Sequence, residues 1–312
     1  MRQKNLPSHA IGCGNDRADA SLTDHFCKLG QGAMGGFIRW GGAAAVALVT
    51  IMDGTPDARA QTPSPMAEWQ YSAGVPLRSM FEDTVPDWEV ELGAAGNLQP
   101  IYPGAGKSRF EPGPDIDVRY KDLAFFSTGE GLGVNLLQDK TYRVGAALGF
   151  DMGREANSDT RLRGTGDIGW APVPKLFAEY IIFPVVLRAD LRRALGGEDG
   201  WAGDLSAYMP VYGTKKFFVF AGPTVSFADD SWNRHEFGIS ATQHERSGLP
   251  RYDATGGLQS AGFGSNATWL ITDHWLIEGG VTAQRLLDGA AHSPLVQERM
   301  QYDANFTVGY SF

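Results

Sequence analysis

QYDANFTVGYSF, residues 301–312, ends the chain with a strict alternation of two kinds of residue. The apolar and aromatic positions are Tyr302, Ala304, Phe306, Val308, Tyr310 and Phe312, and polar or small residues stand between them. Successive side chains of a β-strand point to opposite faces, so this pattern predicts a strand with one apolar and one polar face. Its length, close to the ~10 residues of a lipid-facing strand, is typical of a transmembrane β-barrel.

The same period-two pattern recurs upstream. It covers residues 88–94, 142–151, 185–192, 204–209, 217–227 and 275–284. After residue 60 the sequence contains no apolar run of about 18 residues, so membrane-spanning helices are excluded. A closed barrel is the other fold that satisfies every backbone polar group in lipid. The sequence therefore predicts an all-β protein, a transmembrane antiparallel up-and-down β-barrel.

The connections between these segments come in two lengths. Short turns are predicted near 121–122, 138–140, 182–184, 212–214 and 272–274, and longer loops near 97–113, 152–165, 196–200, 229–233, 243–257 and 287–300. Bacterial barrels have short periplasmic turns and long outer loops. This alternation predicts about twelve strands with both termini in the periplasm. The count becomes ten without a split of residues 123–137 at Gly129–Gly133 and a strand near Phe237–Thr242.

The first 60 residues are predicted to be a presequence. Arg39 precedes the apolar run GGAAAVALVTIM (41–52), and the A-x-A signal at residues 58–60 follows it. This order is typical of a cleaved signal peptide. Met34 would give a signal of ordinary length if translation began there. We expect residues 61–86 to be a periplasmic leader and residues 87–312 to form the barrel, in the outer membrane of a Gram-negative cell.

Charge and cysteine content exclude several classes of function. The net charge is −9, and no basic stretch is dense enough to neutralise a run of phosphates, so we expect no nucleic-acid partner. Cys13 and Cys27 both precede the predicted cleavage site. The mature chain would then have neither a disulfide nor a catalytic thiol.

Three motifs that could indicate a ligand-binding or catalytic site are better explained as parts of loops and turns. GAGKS (104–108) resembles the end of a phosphate-binding loop, but Ile101 stands where the first glycine is needed. GEGLG (129–133) lacks the βαβ context of a dinucleotide loop and is better explained as a turn. The histidines of the mature chain are His235, His244, His274 and His292, which fall in predicted loops and turns. We therefore expect no enzyme activity, no cofactor and no metal site.

Charged residues on the polar faces of the strands are more informative. The lumen-facing candidates are Arg119, Arg143, Arg188, Asp190, Arg192, Asp204 and Glu278, with Lys216, Glu89, Glu91, Asp115, Asp117 and Asp151 beside them. Arginine binds carboxylates bidentately in a fixed geometry, so one interpretation is a salt-bridged interior that stiffens the wall. The alternative is a narrow polar channel or a small-solute site.

Several stretches together resemble a known family. They are GEGLGVNLL (129–137), RLRGTGDI (161–168), LRADLRRALGGEDGW (187–201), GPTVSFAD (222–229), FGISATQHERSGLPRYDATGGL (237–258), LITDHWLIEGGVTAQRLLDGAAHSPLV (270–296) and the final VGYSF. From about Trp88 to Phe312 the chain is similar to the MipA/OmpV family of outer-membrane proteins, the MltA-interacting proteins. The stretch LQPIYPGAGKSRFEPGP (98–114) departs from the acidic, serine-containing loop that is usual in that family.

The resemblance implies a scaffolding function. The name-giving member joins a membrane-bound lytic transglycosylase to a murein polymerase, so those two enzymes are the implied partners, with outer-membrane lipid around the barrel. Other members resemble adhesion or osmotic-response antigens, and the family has no catalytic residues to transfer. A terminal aromatic strand also resembles the signal for outer-membrane insertion, which would assign that role to Tyr310 and Phe312. The second function considered is a narrow porin or solute-binding channel.

We expect the mature protein to begin at Gln61, because the A-x-A signal places cleavage after Ala60. N-terminal sequencing of the protein purified from membranes checks this. A mature protein that keeps residues 41–52 would contradict it.

Overall fold

The computed structural model describes residues 87–121, 123–195, 200–214 and 216–312. In these ranges twelve antiparallel strands form one closed barrel, in which each strand pairs with its neighbours along the chain and the last pairs with the first. The strands are β1 (Trp88–Pro100), β2 (Ser108–Tyr120), β3 (Ala124–Ser127), β4 (Gly131–Asp139), β5 (Tyr142–Asp151), β6 (Ala171–Ile182), β7 (Val185–Arg193), β8 (Trp201–Gly213), β9 (Phe217–Ala228), β10 (Gly257–Leu270), β11 (Trp275–Leu286) and β12 (Met300–Ser311).

This architecture confirms the predicted barrel and its twelve strands. The split of residues 123–137 is also confirmed, since β3 and β4 are separate strands joined at residues 128–130. The presequence and the leader predicted for residues 1–86 lie outside the described residues.

The strand predicted near Phe237–Thr242 is wrong. Residues 229–256 form a single outer loop with two helices, α1 (Asp230–Phe237) and α2 (Ala241–Ser247). Asp229 caps α1 by accepting a hydrogen bond from the Trp232 N–H, and Ser240 begins α2 with a capping box. These caps satisfy N–H groups that a helix start leaves free, which favours helix over strand. The barrel still has twelve strands because β9 pairs directly with β10.

The first outer loop is shorter than predicted. Strand β1 continues to Pro100 and β2 already begins at Ser108, so much of the predicted loop 97–113 is paired strand. The stretch EPGPD (111–115) reads as a loop because proline and glycine usually interrupt strands. Proline is tolerated in this part of β2 because β3 pairs with β2 only from Asp117 onward.

The outer surface carries the apolar face of the strands. Exposed large apolar side chains recur on every strand from β1 to β12. Aromatic residues collect at the periplasmic ends, where Trp88 lies 4.7 Å from Tyr120 and Trp275 lies 5.1 Å from Tyr310 between ring centroids. At the outer ends Phe150 stacks on Trp170. An apolar band between aromatic girdles on a closed barrel is the surface of a protein that spans the outer membrane.

In the part of the chain that the structure describes, no helix is both long enough and apolar enough to cross a membrane.

Closure of the barrel depends on the pairing of β1 with β12. The ladder runs from Glu91 opposite Ser311 to Leu98 opposite Ala304. Beyond it, the N–H of Phe312 donates to the carbonyl oxygen of Val90 at 3.0 Å. The alternating segment at the end of the sequence is therefore the strand that removes the open edge of the sheet.

The outer loops pack on one another above the barrel. We call Tyr102, Ala105, Leu162, Ile239 and Leu295 the mouth cluster; all five are buried and they come from four different loops. Hydrogen bonds support it, including one from the Tyr102 hydroxyl to the Leu295 carbonyl at 3.1 Å. Burial, together with the nearby Asp159 carboxylate, raises the pKa of the Tyr102 phenol to about 12. The loops thus form a small packed core of their own.

A first prediction tests the lipid-facing surface of β7. Leu187 is exposed on this surface, so Leu187→Arg should destabilise the folded barrel by about 2–4 kcal/mol. Thr282→Arg is the matched control, because Thr282 lies in the interior and donates to Asp303 at 2.9 Å, where an arginine gains a carboxylate partner. Urea unfolding in lipid vesicles measures both. Equal losses at the two positions would contradict the assigned faces.

A second prediction concerns the terminal strand. Deleting Tyr310–Phe312 removes the pairs with Glu91 and Leu92 and leaves an open edge whose unsatisfied backbone groups each cost several kcal/mol in lipid. The shortened chain should be exported but should fail to insert. Membrane fractionation and heat-modifiable gel mobility report the outcome. A stable, correctly inserted truncated protein would show that neither closure nor an insertion signal depends on these residues.

Candidate functional site

The strongest concentration of buried charge in the described residues surrounds Glu130. Strand β3 has only four residues, so the turn to β4 lies within the height of the wall instead of above it. The N–H of Glu130 donates to Ser127 Oγ at 2.8 Å, which fixes the turn. Gly131 follows with a φ of +85°, and a Cβ there would lie 2.4 Å from the Leu148 carbonyl oxygen. The side chain of Glu130 is 1% exposed.

Three arginines converge on this carboxylate. Arg188 Nη1 lies 3.1 Å from Glu130 Oε1, and Arg143 Nη2 lies 3.6 Å from the same oxygen. Arg119 Nη2 lies 3.4 Å from the other oxygen, Oε2. The three arginines come from β2, β5 and β7, so Glu130 joins strands that are not adjacent in the sheet.

Further carboxylates complete the set. Arg143 binds Glu179 with two parallel hydrogen bonds of 3.0 Å each. Arg188 shares Glu179 through Nη1 at 2.8 Å and binds Asp190 through Nε at 2.9 Å and Nη2 at 3.2 Å. Arg119 binds Asp117 at 2.8 Å. We call this group the lumen network: Asp117, Arg119, Glu130, Arg143, Lys175, Glu179, Arg188 and Asp190.

Two buried phenylalanines lie against the arginines of the lumen network. Phe125 and Phe177 are 5.8 Å apart between ring centroids. The guanidinium of Arg143 lies 4.9 Å from the centroid of Phe177 and 5.9 Å from that of Phe125. Such cation–π contacts strengthen when they are shielded from water. Apolar rings and paired charges together occupy this level of the barrel.

The charges of the lumen network match. Four cations (Arg119, Arg143, Lys175 and Arg188) face four carboxylates (Asp117, Glu130, Glu179 and Asp190), and Lys175 is close enough for its charge to act on both Glu130 and Asp190. A buried charge is tolerated when it is paired and hydrogen-bonded, and removing one partner is strongly destabilising. Chemically, the arrangement braces the wall, because its ion pairs join strands that are not adjacent in the sheet.

The structure brings five of the predicted lumen charges into the lumen network: Asp117, Arg119, Arg143, Arg188 and Asp190. Arg192 and Asp204 form a further buried ion pair next to the lumen network, with Arg192 close enough for its charge to act on Asp190. The Arg192 guanidinium lies 5.6 Å from the Trp232 ring centroid. Glu278 accepts a hydrogen bond from Thr268 at 2.9 Å, outside the lumen network. Lys216 is exposed in the turn before β9, outside the lumen network.

Tyr310 and Phe312 lie at the periplasmic rim. The Tyr310 ring stacks on His274, with 5.4 Å between centroids, and Phe312 lies 4.9 Å from Tyr310. Phe312 remains half exposed. Their assignment as an insertion signal stays a prediction.

Sequence reasoning missed Glu130, Lys175 and Glu179. Lys175, Phe177 and Glu179 alternate on β6 and are buried, so the period-two pattern contained a signal for both charged residues. Glu130 had no such signal, because it lies in a glycine-rich turn outside any alternating segment.

A cavity of about 350 Å³ lies under the outer loops. It is lined by Asp151, Asp167, Ile168, Gly169, Trp170, Ala171, Ala194, Trp232, His235 and Glu236. Among the described ranges no group of three or more histidine, cysteine or acidic side chains is arranged to hold a metal ion.

Comparisons with solved structures return outer-membrane barrels at low similarity. The N-terminal β-barrel domain of Pseudomonas aeruginosa OprF is 12% identical, with 72% of this chain and 97% of that chain covered and a TM-score of 0.23. The outer membrane protein OprD of P. aeruginosa is 11% identical over 73% and 66% of the two chains, at a TM-score of 0.33. OmpT of Vibrio cholerae is 9% identical over 73% and 99%, also at 0.33.

A search of curated proteins found no match. The model of one protein family, described as MltA-interacting protein MipA, matches residues 92–312. The matched range starts within β1 and covers all the later strands, including every residue of the lumen network. The chain therefore belongs to the MltA-interacting protein MipA family.

Proposed function

We propose that this protein is a structural and scaffolding barrel of the outer membrane, which binds murein-synthesising and murein-hydrolysing enzymes from its periplasmic side. The observation that carries the proposal is the set of buried, paired charges inside the barrel. The lumen network and two phenylalanine rings occupy the inside of the barrel, and the mouth cluster lies above it. A barrel filled in this way is suited to holding other proteins at the membrane rather than to passing solutes.

The family supplies the kind of partner. The family is that of the MltA-interacting protein MipA, and we extend this relationship to a lytic transglycosylase and a murein polymerase as partners of this chain. Both act in the periplasm, where the short turns of the barrel lie. Exposed charged side chains are available there, including Lys140 and Asp273.

A second candidate function is binding of a small solute, in keeping with the narrow-channel alternative. The cavity of about 350 Å³ favours it, because its lining combines Trp170 and Trp232 with the carboxylates of Asp151 and Glu236. Burial raises the pKa of the Glu236 carboxyl. Steady conductance across a planar bilayer would support a channel, whereas an obstructed barrel should give none.

Site-specific photocrosslinking in cells tests the scaffold. A photoreactive residue at Lys140 or Asp273, both exposed in periplasmic turns, should capture the transglycosylase and the polymerase, as identified by mass spectrometry. The matched control is Arg251, which is exposed in an outer loop. Equal capture from the outer loop, or no capture of these enzymes from either turn, would reject the proposal.

The filled interior also gives a stability prediction. Glu130→Gln leaves three buried arginines short of one carboxylate, and loss of one partner from such a set costs about 3–5 kcal/mol. Urea unfolding followed by heat-modifiable mobility measures the change. Asp303→Asn, whose partner is the neutral Thr282 hydroxyl, should cost less. If both variants are equally stable, the lumen network does not brace the barrel.

A further inference from the structure

The barrel wall has a window between β2 and β5. The ladder between β2 and β3 ends with Asp117 opposite Ser127, and one more contact follows, from the Thr128 N–H to the Ile116 carbonyl at 2.9 Å. The ladder between β4 and β5 ends with Leu132 opposite Leu148. Strand β2 nevertheless continues outward to Ser108 and β5 to Asp151. Above the β3–β4 turn, these two strands therefore face each other without the strands that separate them below.

The window has a border on each side. Its lower border is the turn around Glu130, and its sides are the outer parts of β2 and β5. Across the top runs the loop after β5, where Asp159 Oδ2 lies 3.5 Å from Lys107 Nζ and the Arg154 guanidinium lies 6.0 Å from the centroid of Tyr102. Three interstrand spacings of about 4.8 Å separate β2 from β5, or roughly 14 Å between their axes.

Prolines line the β2 side of the window. Both the N–H and the carbonyl of Ile116 bond to Thr128, so even-numbered residues of β2 direct their backbone groups to this side. Pro112 and Pro114 are therefore the positions at which an N–H would point into the window. Proline has no N–H and within sheets is confined to edges. The two prolines therefore remove backbone N–H donors in the part of β2 that has no neighbouring strand on this side.

The two faces of the window differ in polarity. On the outside, the flanking side chains are apolar and exposed: Phe110, Pro112 and Pro114 on β2, with Leu148 and Phe150 on β5. On the inside, β2 presents Glu111, which contacts Arg109 Nε at 2.5 Å and Gln99 Nε2 at 2.6 Å. A molecule crossing the window would meet hydrocarbon-like surface first and polar groups behind it.

We propose that an acyl chain of an outer-leaflet membrane lipid occupies this window, with the polar part of the lipid towards Arg109 and Glu111. The window lies at the outer end of the lipid-facing wall, between Leu148 and the girdle residue Phe150 on the β5 side. The exposed apolar side chains on both of its sides make outer-leaflet lipid its surrounding medium. A partner β-strand fits poorly, because strand addition needs backbone donors as well as acceptors, and Pro112 and Pro114 offer acceptors alone. An acyl chain needs neither, and the two prolines limit the backbone groups of β2 that it leaves unsatisfied to carbonyl oxygens.

Fluorescence quenching by lipids brominated on their acyl chains tests the proposal. A bimane label at Glu111→Cys, on the inner side of the window, should be quenched several-fold more strongly than the same label at Thr282→Cys. Thr282 also lies in the interior, but its strand is paired at that residue on both sides, with Gly264 and Asp303. Heat-modifiable mobility verifies that each labelled protein is folded, and Arg109→Cys gives the same measurement if Glu111→Cys fails to insert.

Each outcome bears on the proposal. Strong quenching at residue 111 with little at residue 282 supports lipid entry through the window. Weak quenching at both positions means that side chains close it, and strong quenching at both means that lipid enters elsewhere; either result overturns the proposal. A disulfide-linked dimer of unlabelled Glu111→Cys would place a second copy of the chain at this edge and would also overturn it.

Discussion

Backbone hydrogen bonding inside a hydrocarbon layer is the constraint on which the rest of this structure depends. Lipid offers no partner to an N–H or a carbonyl, so the sheet has to close on itself. Here closure is made by β12 against β1, from Glu91 opposite Ser311 to Leu98 opposite Ala304. Once the sheet is closed, one face of every strand meets lipid and the other meets the interior, which explains the period-two pattern of the whole barrel.

The interior then has its own requirement, because a twelve-stranded wall encloses more space than small side chains fill. In this chain, paired charged side chains occupy that space instead of an apolar core. Arg188 alone contacts Glu130, Glu179 and Asp190. The guanidinium groups bind carboxylates from separate strands and also cover the faces of Phe125 and Phe177. A fixed, directional set of contacts of this kind specifies one arrangement of the wall.

Much of this was predictable from sequence, for a physical reason: lipid outside and a polar interior impose an alternation that is visible in the residues themselves. Arg188 and Asp190 were found in this way. Glu130 was not, since its place depends on how short β3 is. The segment at 237–242 misled because Phe237 and Ile239 alternate, but they do so as buried residues of the packed outer loops. The extent of β2 was missed because Pro112 and Pro114 are compatible with a strand only where its neighbour is absent, which is a property of the assembled sheet.

The mouth cluster has a consequence for how the cell surface is recognised from outside. Its side chains come from four loops that are far apart in sequence, and Arg161 on one loop reaches the Pro294 carbonyl on another. The exposed surface is therefore a composite of several segments held in one relative arrangement. Antibodies raised against the intact cell will recognise that composite surface. Peptides copied from a single loop will elicit antibodies that bind the native protein poorly.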